Sequence, residues 1–293
     1  MRIAVLSGKG GTGKTTVSTN LAHAMGLNYV DCDVEEPNGH IFLKPDIEEV
    51  TEVNVPIPHV DLDKCTMCNA CVKSCQFNAL AKTMTEIMLF KELCHGCGAC
   101  VLACPQNAIR ESNRSIGSMS RGTVKGQKFR SGKLNIKEPM AGPIISALTK
   151  DIGVDEKVLI DCAPGTSCNV VKALENVDYA VLVTEPTMFG LHDLKLAVSL
   201  VKTLKIPFGV LINRSGENAS LIKSYCEAFS IDIIGEIPFS KLAAQIYSRG
   251  ELLSEHIMFK EHFHELGKQV IQAAGQVEND SKDLGEDYAD HRY

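Results

Sequence analysis

Short apolar runs alternate with stretches of helical periodicity over most of the chain. The apolar runs predict strands and the periodic stretches predict helices. The predicted strands cover residues 3–6, 27–32, 158–161, 180–184, 208–213 and 231–237. The predicted helices cover residues 17–25, 190–203, 217–228 and 259–275. This alternation predicts an α/β fold with a doubly wound, mostly parallel sheet, which binds its ligand at the carboxyl ends of the strands.

The last predicted helix has an apolar face of the width that packs against a protein core. That face consists of Phe259, Phe263, Leu266, Val270 and Ala274. The segment that follows, residues 276–293, contains six acids against one lysine and one arginine. We expect this segment to be a disordered tail. Because membrane-binding helices carry a basic polar face, we expect no stable membrane anchor here.

The composition predicts a cytoplasmic globular protein. Of the 293 residues, 44% are hydrophobic and 23% are charged, which is ordinary for folded domains. No apolar run reaches the roughly 20 residues that span a bilayer, and the first residues lack a secretory cleavage site. The net charge of −6 comes largely from the acidic tail. No basic field therefore favours binding to nucleic acid.

Eight of the twelve cysteines form two copies of the pattern C-x2-C-x2-C-x3-C. The copies are Cys65, Cys68, Cys71 and Cys75, then Cys94, Cys97, Cys100 and Cys104. A constant offset of 29 residues relates them and also superposes Asn78 on Asn107, which indicates an internal duplication. Clustered cysteines in a cytosolic chain favour a metal site over disulfides.

This segment resembles the bacterial two-cluster ferredoxins over residues 58–111. In that pattern, three cysteines of one copy and the fourth cysteine of the other copy hold each cube. One 4Fe-4S cluster is then assigned to Cys65, Cys68, Cys71 and Cys104, and the second to Cys94, Cys97, Cys100 and Cys75. The family's proline follows the second copy as Pro105, whereas Gln76 replaces it in the first, a departure that leaves the ligands intact. Zinc is the alternative, although its sites usually separate two ligand pairs by a longer stretch.

A glycine-rich loop between the first predicted strand and helix matches the P-loop pattern G-x-x-x-x-G-K-[ST]. Such a loop binds phosphates with backbone N–H groups at the start of a helix. Lys14 is expected to contact the β and γ phosphates, and Thr15 to contact Mg²⁺. The pattern therefore predicts ATP or ADP with Mg²⁺ as ligands. The residues expected around the nucleotide are Gly8, Lys9, Gly10, Gly11, Thr12, Gly13, Lys14, Thr15 and Thr16.

The run from Lys9 to Thr16 resembles the deviant Walker A motif of the MinD/ParA superfamily of P-loop ATPases. The resemblance implies that Lys9 is catalytic and reaches across a dimer interface to the nucleotide of the partner subunit. It also implies a dimer in the ATP state, either a homodimer or a heterodimer with a paralogue.

Three further segments resemble motifs of the same superfamily. Asp33 matches the switch I acid that orients or polarises the attacking water, although Pro37 stands where some relatives carry a magnesium-facing acid. Asp161 matches the Walker B acid that holds Mg²⁺, and its D-x-x-P-G context, which ends at the switch II residue Gly165, resembles the Mrp-like carriers. Asn213 closes a predicted strand and matches the asparagine that reads the adenine edge. Capping of the strand end is the alternative role for it.

These motifs divide the chain into an ATPase domain, residues 1–57 and 112–275, and an inserted ferredoxin domain, residues 58–111. Residues 112–137 are expected to return the chain as a hairpin. The leading hypothesis is an ATP-hydrolysing dimeric switch that controls electron transfer, or delivery of an iron–sulfur or related metal cofactor, to a protein partner. The alternative is a positioning or partitioning ATPase whose clusters are sensory or structural.

Four cysteines lie outside the repeat: Cys32, Cys162, Cys168 and Cys226. Free cysteines of this kind are usually small buried core residues. Alternatively, Cys162 and Cys168 could ligate a cluster shared across the twofold axis of a dimer, and the sequence leaves this open.

Overall fold

The computed structural model describes residues 1–286, and the side chains of residues 1–276. The first half contains β1 (Arg2–Leu6), α1 (Lys14–Met25), β2 (Asn28–Asp31), α2 (Gly39–Leu43), β3 (Asp46–Val60), α3 (Ala70–Ser74), β4 (Leu80–Lys82), β5 (Ile87–Leu89), α4 (Ala99–Leu102), β6 (Ile109–Val124) and β7 (Gln127–Leu134). The second half contains α5 (Gly142–Lys150), β8 (Val158–Asp161), α6 (Cys168–Ala173), β9 (Tyr179–Thr184), α7 (Met188–Thr203), β10 (Phe208–Ser215), α8 (Ser220–Ala228), β11 (Ile233–Pro238), α9 (Lys241–Ser248) and α10 (Lys260–Glu286).

Within residues 1–286, nine strands form one sheet in the order β11, β10, β9, β1, β8, β2, β7, β6, β3. The strands from β11 to β7 are all parallel. The strands β6 and β3 are antiparallel additions at one edge, and β4 and β5 form a separate two-stranded sheet. The predicted fold class, a doubly wound and mostly parallel sheet, is confirmed.

Helices cover both faces of the sheet because its inner strands are apolar on both sides. In β1, Ala4 and Leu6 belong to one core, whereas Ile3 and Val5 belong to the other. Helices α5, α6, α7 and α8 contribute to the first core, and α1, α2, α9 and α10 to the second. The parallel strands therefore all end at one edge, where the loops collect.

The last helix buries the apolar face that the sequence predicts. Phe263, Leu266, Val270 and Ala274 lie in the second core, and Phe259 packs against it from the preceding turn. The helical backbone continues to Glu286, past residue 275 where the prediction ends, because no proline interrupts the run. Residues 276–286 of the predicted tail are therefore helical, and residues 287–293 lie outside the described residues. No described helix combines the length and hydropathy needed to cross a bilayer.

A long hairpin joins the sheet to residues 61–108. Strand β3 pairs with β6 from Asp46 opposite Thr123 to Val60 opposite Ile109. The sequence does not predict strand β3, because Pro56 and Pro58 argue against a central strand. They are tolerated because β3 is the edge strand of the sheet. The hairpin predicted within residues 112–137 is present as β6 and β7.

The segment from 61 to 108 has the internal symmetry of the sequence repeat. In its small sheet Leu80 lies opposite Leu89. The residues that the offset of 29 makes equivalent to them, Ile109 and Val60, lie opposite each other in the β3–β6 ladder. The backbone hydrogen bond from Phe90 to Ala79 has its counterpart in the bond from Asp61 to Ala108. Both copies of the repeat are therefore folded in the same way.

Candidate functional site

A cavity opens where the parallel strands end. Its lining comes from the loop after β1, the segment after β2, the end of β10 and the segment after β11. The loop residues that line it are Lys9, Gly10, Gly11, Gly13, Lys14, Thr15 and Thr16. Three residues predicted for the nucleotide and Mg²⁺ do not line it. Gly8 packs against Asp193, whose carbonyl oxygen would lie 2.1 Å from an added Cβ, and Thr12 and Asp161 are buried.

Two glycines determine the shape of the loop before α1. Gly11 and Gly13 both have φ of +83°, a left-handed conformation that other residues adopt only with strain. At Gly13 an added Cβ would also lie 2.2 Å from the Asn213 amide nitrogen. The loop therefore packs closely on β10, and its backbone stays open towards the cavity.

Lys14 begins α1 and its ammonium group lies 2.5 Å from Oδ1 of Asp161, the last residue of β8. Both side chains are buried. The hydroxyl of Tyr29 in β2 donates to Oδ2 of Asp161 at 2.9 Å. Burial alone would lower the pKa of Lys14, but Asp161, Asp33 and Asp31 together outweigh it and the pKa is raised. Lys14 is therefore a fixed positive charge below the loop.

Two more acids follow β2 beside this pair. Asp31 is fully buried, and its carboxylate accepts the backbone N–H groups of Asp33 at 3.1 Å and Gly39 at 2.9 Å. Burial and the neighbouring Asp161 raise the pKa of Asp31 to about 8. Burial raises the pKa of Asp33 to about 6, although Lys14 opposes the shift. Of these three acids, only Asp33 lines the cavity, and Asp31 and Asp161 are buried.

Lys9 lies at the rim of the cavity and contacts its own chain. Its ammonium group is 2.9 Å from the carboxylate of Glu185, which follows β9, and 5.9 Å from the ring centre of Phe189. Arg214 also pairs with Glu185, at 3.3 Å. Glu185 therefore holds both cations of this rim.

Asn213 forms part of the opposite wall. Its amide nitrogen donates to the carbonyl oxygen of Thr12 at 2.8 Å, and its Oδ1 accepts the backbone N–H of Arg214 at 2.9 Å. The side chain thus supports the glycine loop from below. Beside it the cavity wall becomes apolar, with Pro238, Phe239, Ala243 and Tyr247.

Two smaller cavities lie in the segment that follows β3, and each is lined by four cysteines. Site A is lined by Cys65, Cys68, Cys71 and Cys104. Site B is lined by Cys75, Cys94, Cys97 and Cys100. These are the two sets that the repeat predicts, since each takes its fourth cysteine from the other copy. Within the described chain, no three His, Cys, Asp or Glu side chains lie close enough to hold a single metal ion.

The fourth cysteine of each site accepts a backbone hydrogen bond. The N–H of Ala79 points to Sγ of Cys75, and the N–H of Ala108 points to Sγ of Cys104, both at 3.3 Å. Burial raises the pKa of the Cys71 thiol and of its counterpart Cys100. A positive metal centre is the partner that would favour their thiolate forms.

The other four cysteines differ in exposure. Cys32, Cys162 and Cys226 are buried in the first core, and Cys168 is exposed at the start of α6. Because Cys162 is fully buried at the end of β8, it is not available to a partner subunit. The structure therefore does not support a cluster shared through Cys162 and Cys168.

Several residues in and around the cavity are not predicted by the sequence. Tyr29 in β2 contacts Asp161, Glu185 after β9 contacts Lys9, and no motif marks either of them. Glu36 lines the cavity immediately before Pro37. The apolar wall after β11 could be predicted only from its position at the carboxyl end of a parallel strand.

The comparisons with known proteins agree with this geometry. The family model of the CobQ/CobB/MinD/ParA nucleotide binding domain matches residues 3–253. An uncharacterized protein of Methanocaldococcus jannaschii is 32% identical over 92% of this chain and 98% of its own length. The iron-sulfur cluster carrier protein of Pyrococcus horikoshii is 26% identical over 83% of this chain and 69% of its own length.

Solved structures share the fold. The septum site-determining protein MinD of Pyrococcus horikoshii, complexed with Mg-ADP, superposes with a TM-score of 0.59 at 18% identity, over 94% of this chain and 98% of its own. The MinD cell division protein of Aquifex aeolicus gives a TM-score of 0.55 at 14% identity, over 92% and 96%. Together with the match over residues 3–253, this places the chain in the CobQ/CobB/MinD/ParA nucleotide-binding family.

Proposed function

We propose that the chain is a cytoplasmic, ATP-hydrolysing dimeric switch that controls electron transfer to a metalloprotein partner through two 4Fe-4S clusters. One observation carries the proposal. The glycine-loop cavity and the hairpin that bears both four-cysteine cavities are parts of one hydrogen-bonded sheet. A change at the nucleotide therefore has a continuous physical route to the cysteines.

The chain's own residues supply what ATP and Mg²⁺ require. The open backbone of the glycine loop faces the cavity, and Lys14 supplies a fixed charge for the β and γ phosphates. Thr15, which lines the cavity, and Asp161, after release from Lys14, would hold Mg²⁺, and the apolar wall with Tyr247 suits an adenine ring. Asn213 would read the adenine edge from the position where it supports the loop.

Asp33 is the residue that would orient the attacking water. It lines the cavity and is only partly buried, unlike Asp31 and Asp161. A carboxylate that reaches the open space can accept a hydrogen bond from water, whereas the two buried acids are occupied by Lys14, Tyr29 and backbone N–H groups. Asp33 therefore fits the role of base or water-positioning group.

Lys9 would act in the partner subunit's site. It has to leave Glu185 to do so, and the γ-phosphate of the partner's nucleotide is the anion that would replace the carboxylate. ATP rather than ADP then favours the dimer, because only ATP supplies this contact.

The cysteine cavities fit 4Fe-4S clusters by the chemistry of their ligands. Each offers four thiols, together with a backbone N–H directed at one sulfur. Hydrogen bonds of this kind tune iron–sulfur sites. When bound, each cluster would accept or donate one electron, and the cysteines and backbone would hold it in place.

The test is to follow iron and electrons during turnover. Anaerobically purified protein is reduced, supplied with ATP or ADP, and sampled for iron content and for the rate at which an added one-electron acceptor oxidises it. We expect the iron content to stay constant and the oxidation rate to change with ATP but not with ADP. Equal rates with both nucleotides would overturn the proposal.

Delivery of an iron–sulfur cluster is the second candidate, and the names of relatives favour it. Proteins from Pyrococcus and Methanocaldococcus called iron-sulfur cluster carriers are 25–26% identical to this chain. In this case one cluster is the cargo, and its four irons should pass to an apoprotein acceptor during ATP turnover. The iron balance of the same experiment distinguishes the two candidates.

A positioning or partitioning role receives less support from the structure. The apolar face of α10 up to Ala274 is packed against the core, so it is not free to bind a bilayer in this conformation. Pelleting with liposomes or DNA in the presence of ATP would revive that alternative.

A further inference from the structure

We propose that sites A and B are unequal, and that site A has the higher reduction potential, so that a single electron added to the protein resides there. The inference rests on the proposed function, because it requires a 4Fe-4S cluster in each site. It is carried by side chains that the duplication makes equivalent in position but opposite in character.

The offset of 29 residues makes the two sites directly comparable. It maps the loop of site A onto the loop of site B, and the strand after the first copy onto the strand after the second. The matching registers, Leu80 with Leu89 and Ile109 with Val60, show that the backbone obeys this symmetry. Any difference between the sites therefore arises from side chains at matched positions.

The first difference is a reversed charge. Lys82 ends the strand after the first copy, and its ammonium group binds the carbonyl oxygen of Met67 in the loop of site A at 2.6 Å. The equivalent of Lys82 in the second copy is Glu111. Glu111 lines site B, and its Oε1 would lie 3.5 Å from a Cβ at Gly98 in the loop of that site. Site A thus has an ammonium group where site B has a carboxylate.

The second difference is the pair of side chains at the cavity wall. Site A is lined by Thr66 and Gln106. Their equivalents in site B are His95 and Phe77, whose rings stack with centres 3.8 Å apart and planes 11° apart. Because His95 is itself polar, this difference does not favour either site, and the inference rests on the other two.

The third difference is an amide at the turn of the loop. Asn69 lines site A, and its Oδ1 is buried without a hydrogen-bond partner. Because the two ends of an amide have the same shape, the side chain can present an N–H to sulfur. The equivalent residue in site B is Gly98, which has no side chain to offer. The backbone is the same, since φ is +70° at Asn69 and +73° at Gly98.

The first and third differences act in one direction. Reduction adds one negative charge to a cluster, so a nearby cation and N–H donors stabilise the reduced form and raise its potential. A nearby carboxylate destabilises the reduced form and lowers its potential. Site B also lies closer to the ATPase core, because its loop packs on Pro56, the neighbour of the core residue Val55. An electron that enters from the ATPase side would therefore move outwards from site B to site A.

The test is a redox titration of the intact protein with dithionite, monitored by electron paramagnetic resonance. In the wild type we expect two one-electron steps that differ at least tenfold in equilibrium constant, which is about 59 mV. Lys82→Gln should lower only the higher midpoint, and Glu111→Gln should raise only the lower midpoint, each by about threefold because exposed charges are screened. Lys82→Arg should leave the potentials unchanged.

Two variants serve as matched controls. Lys73→Gln and Glu86→Gln remove the same charges from exposed positions in the same segment, without the bond that Lys82 makes to Met67 or the place of Glu111 in the lining of site B, and both should leave the midpoints in place. Equal midpoints in a protein with eight irons would overturn the inference and leave the proposed function intact. So would a Lys82→Gln shift confined to the lower midpoint. A protein with no 4Fe-4S signal would overturn both.

Discussion

The ammonium group of Lys9 lies 2.9 Å from the carboxylate of Glu185 in the same chain. The two side chains are 30% and 17% exposed, so the pair is held at the rim and not buried. Any role of Lys9 in a partner subunit therefore begins with the loss of this ion pair.

Removing the carboxylate should favour the dimer. In Glu185→Gln, Lys9 no longer gives up a charged partner, and a half-exposed pair of this kind contributes about 0.2–1 kcal/mol. We expect the dissociation constant of the ATP-bound dimer to fall by up to about fivefold for each of its two pairs, or about thirtyfold in all, measured by analytical ultracentrifugation. Glu175→Gln is the control, since Glu175 pairs with Lys172 at 2.9 Å and does not line the cavity. Weaker dimerisation of Glu185→Gln would show that Glu185 serves the dimer itself.

Mixing two inactive variants tests the trans role of Lys9. Lys9→Ala and Asp33→Ala should each lose most ATP hydrolysis while retaining nucleotide binding. If Lys9 acts in the partner's site, a mixed dimer has one site with both wild-type groups, and that site should hydrolyse ATP. Phosphate release from the mixture measures it. No activity in a mixture whose heterodimers are shown to form would mean that Lys9 acts within its own chain.

The Lys14–Asp161 pair should matter for stability as well as for ATP. Lys14→Ala should abolish ATP binding, and it also leaves the Asp161 charge buried without its partner, which costs about 3–5 kcal/mol. The double variant Lys14→Ala, Asp161→Asn should recover part of that loss, because the buried charge is gone. Denaturant unfolding of the nucleotide-free proteins measures both effects. A double variant no more stable than Lys14→Ala would contradict the ion-pair explanation.

Iron content tests the cysteine sites directly. Anaerobically purified protein should contain close to eight irons and eight sulfides per chain, because each cube holds four of each. Cys68→Ser should lose the iron of site A, whereas Cys168→Ser, at an exposed position outside both sites, should keep all of it. Zinc in place of iron would refute the assignment. Iron loss in Cys168→Ser would restore the shared-cluster hypothesis.

Excision of residues 61–108 tests the proposed domain division. Val60 and Ile109 lie opposite each other at the end of the β3–β6 ladder, so an Asn-Gly turn can join them. The shortened chain should fold without iron and still bind ATP, which isothermal calorimetry would measure. An insoluble product would show that the segment is needed for the ATPase fold.

The sequence predicted those parts of the site whose residues are close along the chain. The cysteines of the two cavities, the glycine loop and the acid Asp161 lie in short motifs with strict spacing. The partners Tyr29 and Glu185 could not be predicted, because the contacts of Tyr29 with Asp161 and of Glu185 with Lys9 depend on strand order. Strand order is a long-range property that local patterns do not encode.

The same limit explains the errors in the fold. Strand β3 alternates apolar and polar residues, but Pro56 and Pro58 obscure the pattern, and only its place at the sheet edge makes them acceptable. The end of α10 was placed too early because the prediction followed the apolar face, and the helical backbone continues after that face ends.

The β3–β6 hairpin has a mechanical consequence. Beyond Val53 and Gly117, where β6 leaves β7, the two strands pair only with each other for seven residues of β3, or about 23 Å at about 3.3 Å per residue. The register shift between Val53 and Asn54 lies at the base of this arm, where bulges bend strands. The arm is therefore a lever with its pivot beside the ATPase core. A tilt of about 5° at the pivot would displace the tip by about 2 Å over that length, enough to make or break contact with a docked protein while every bond within the cysteine sites stays the same.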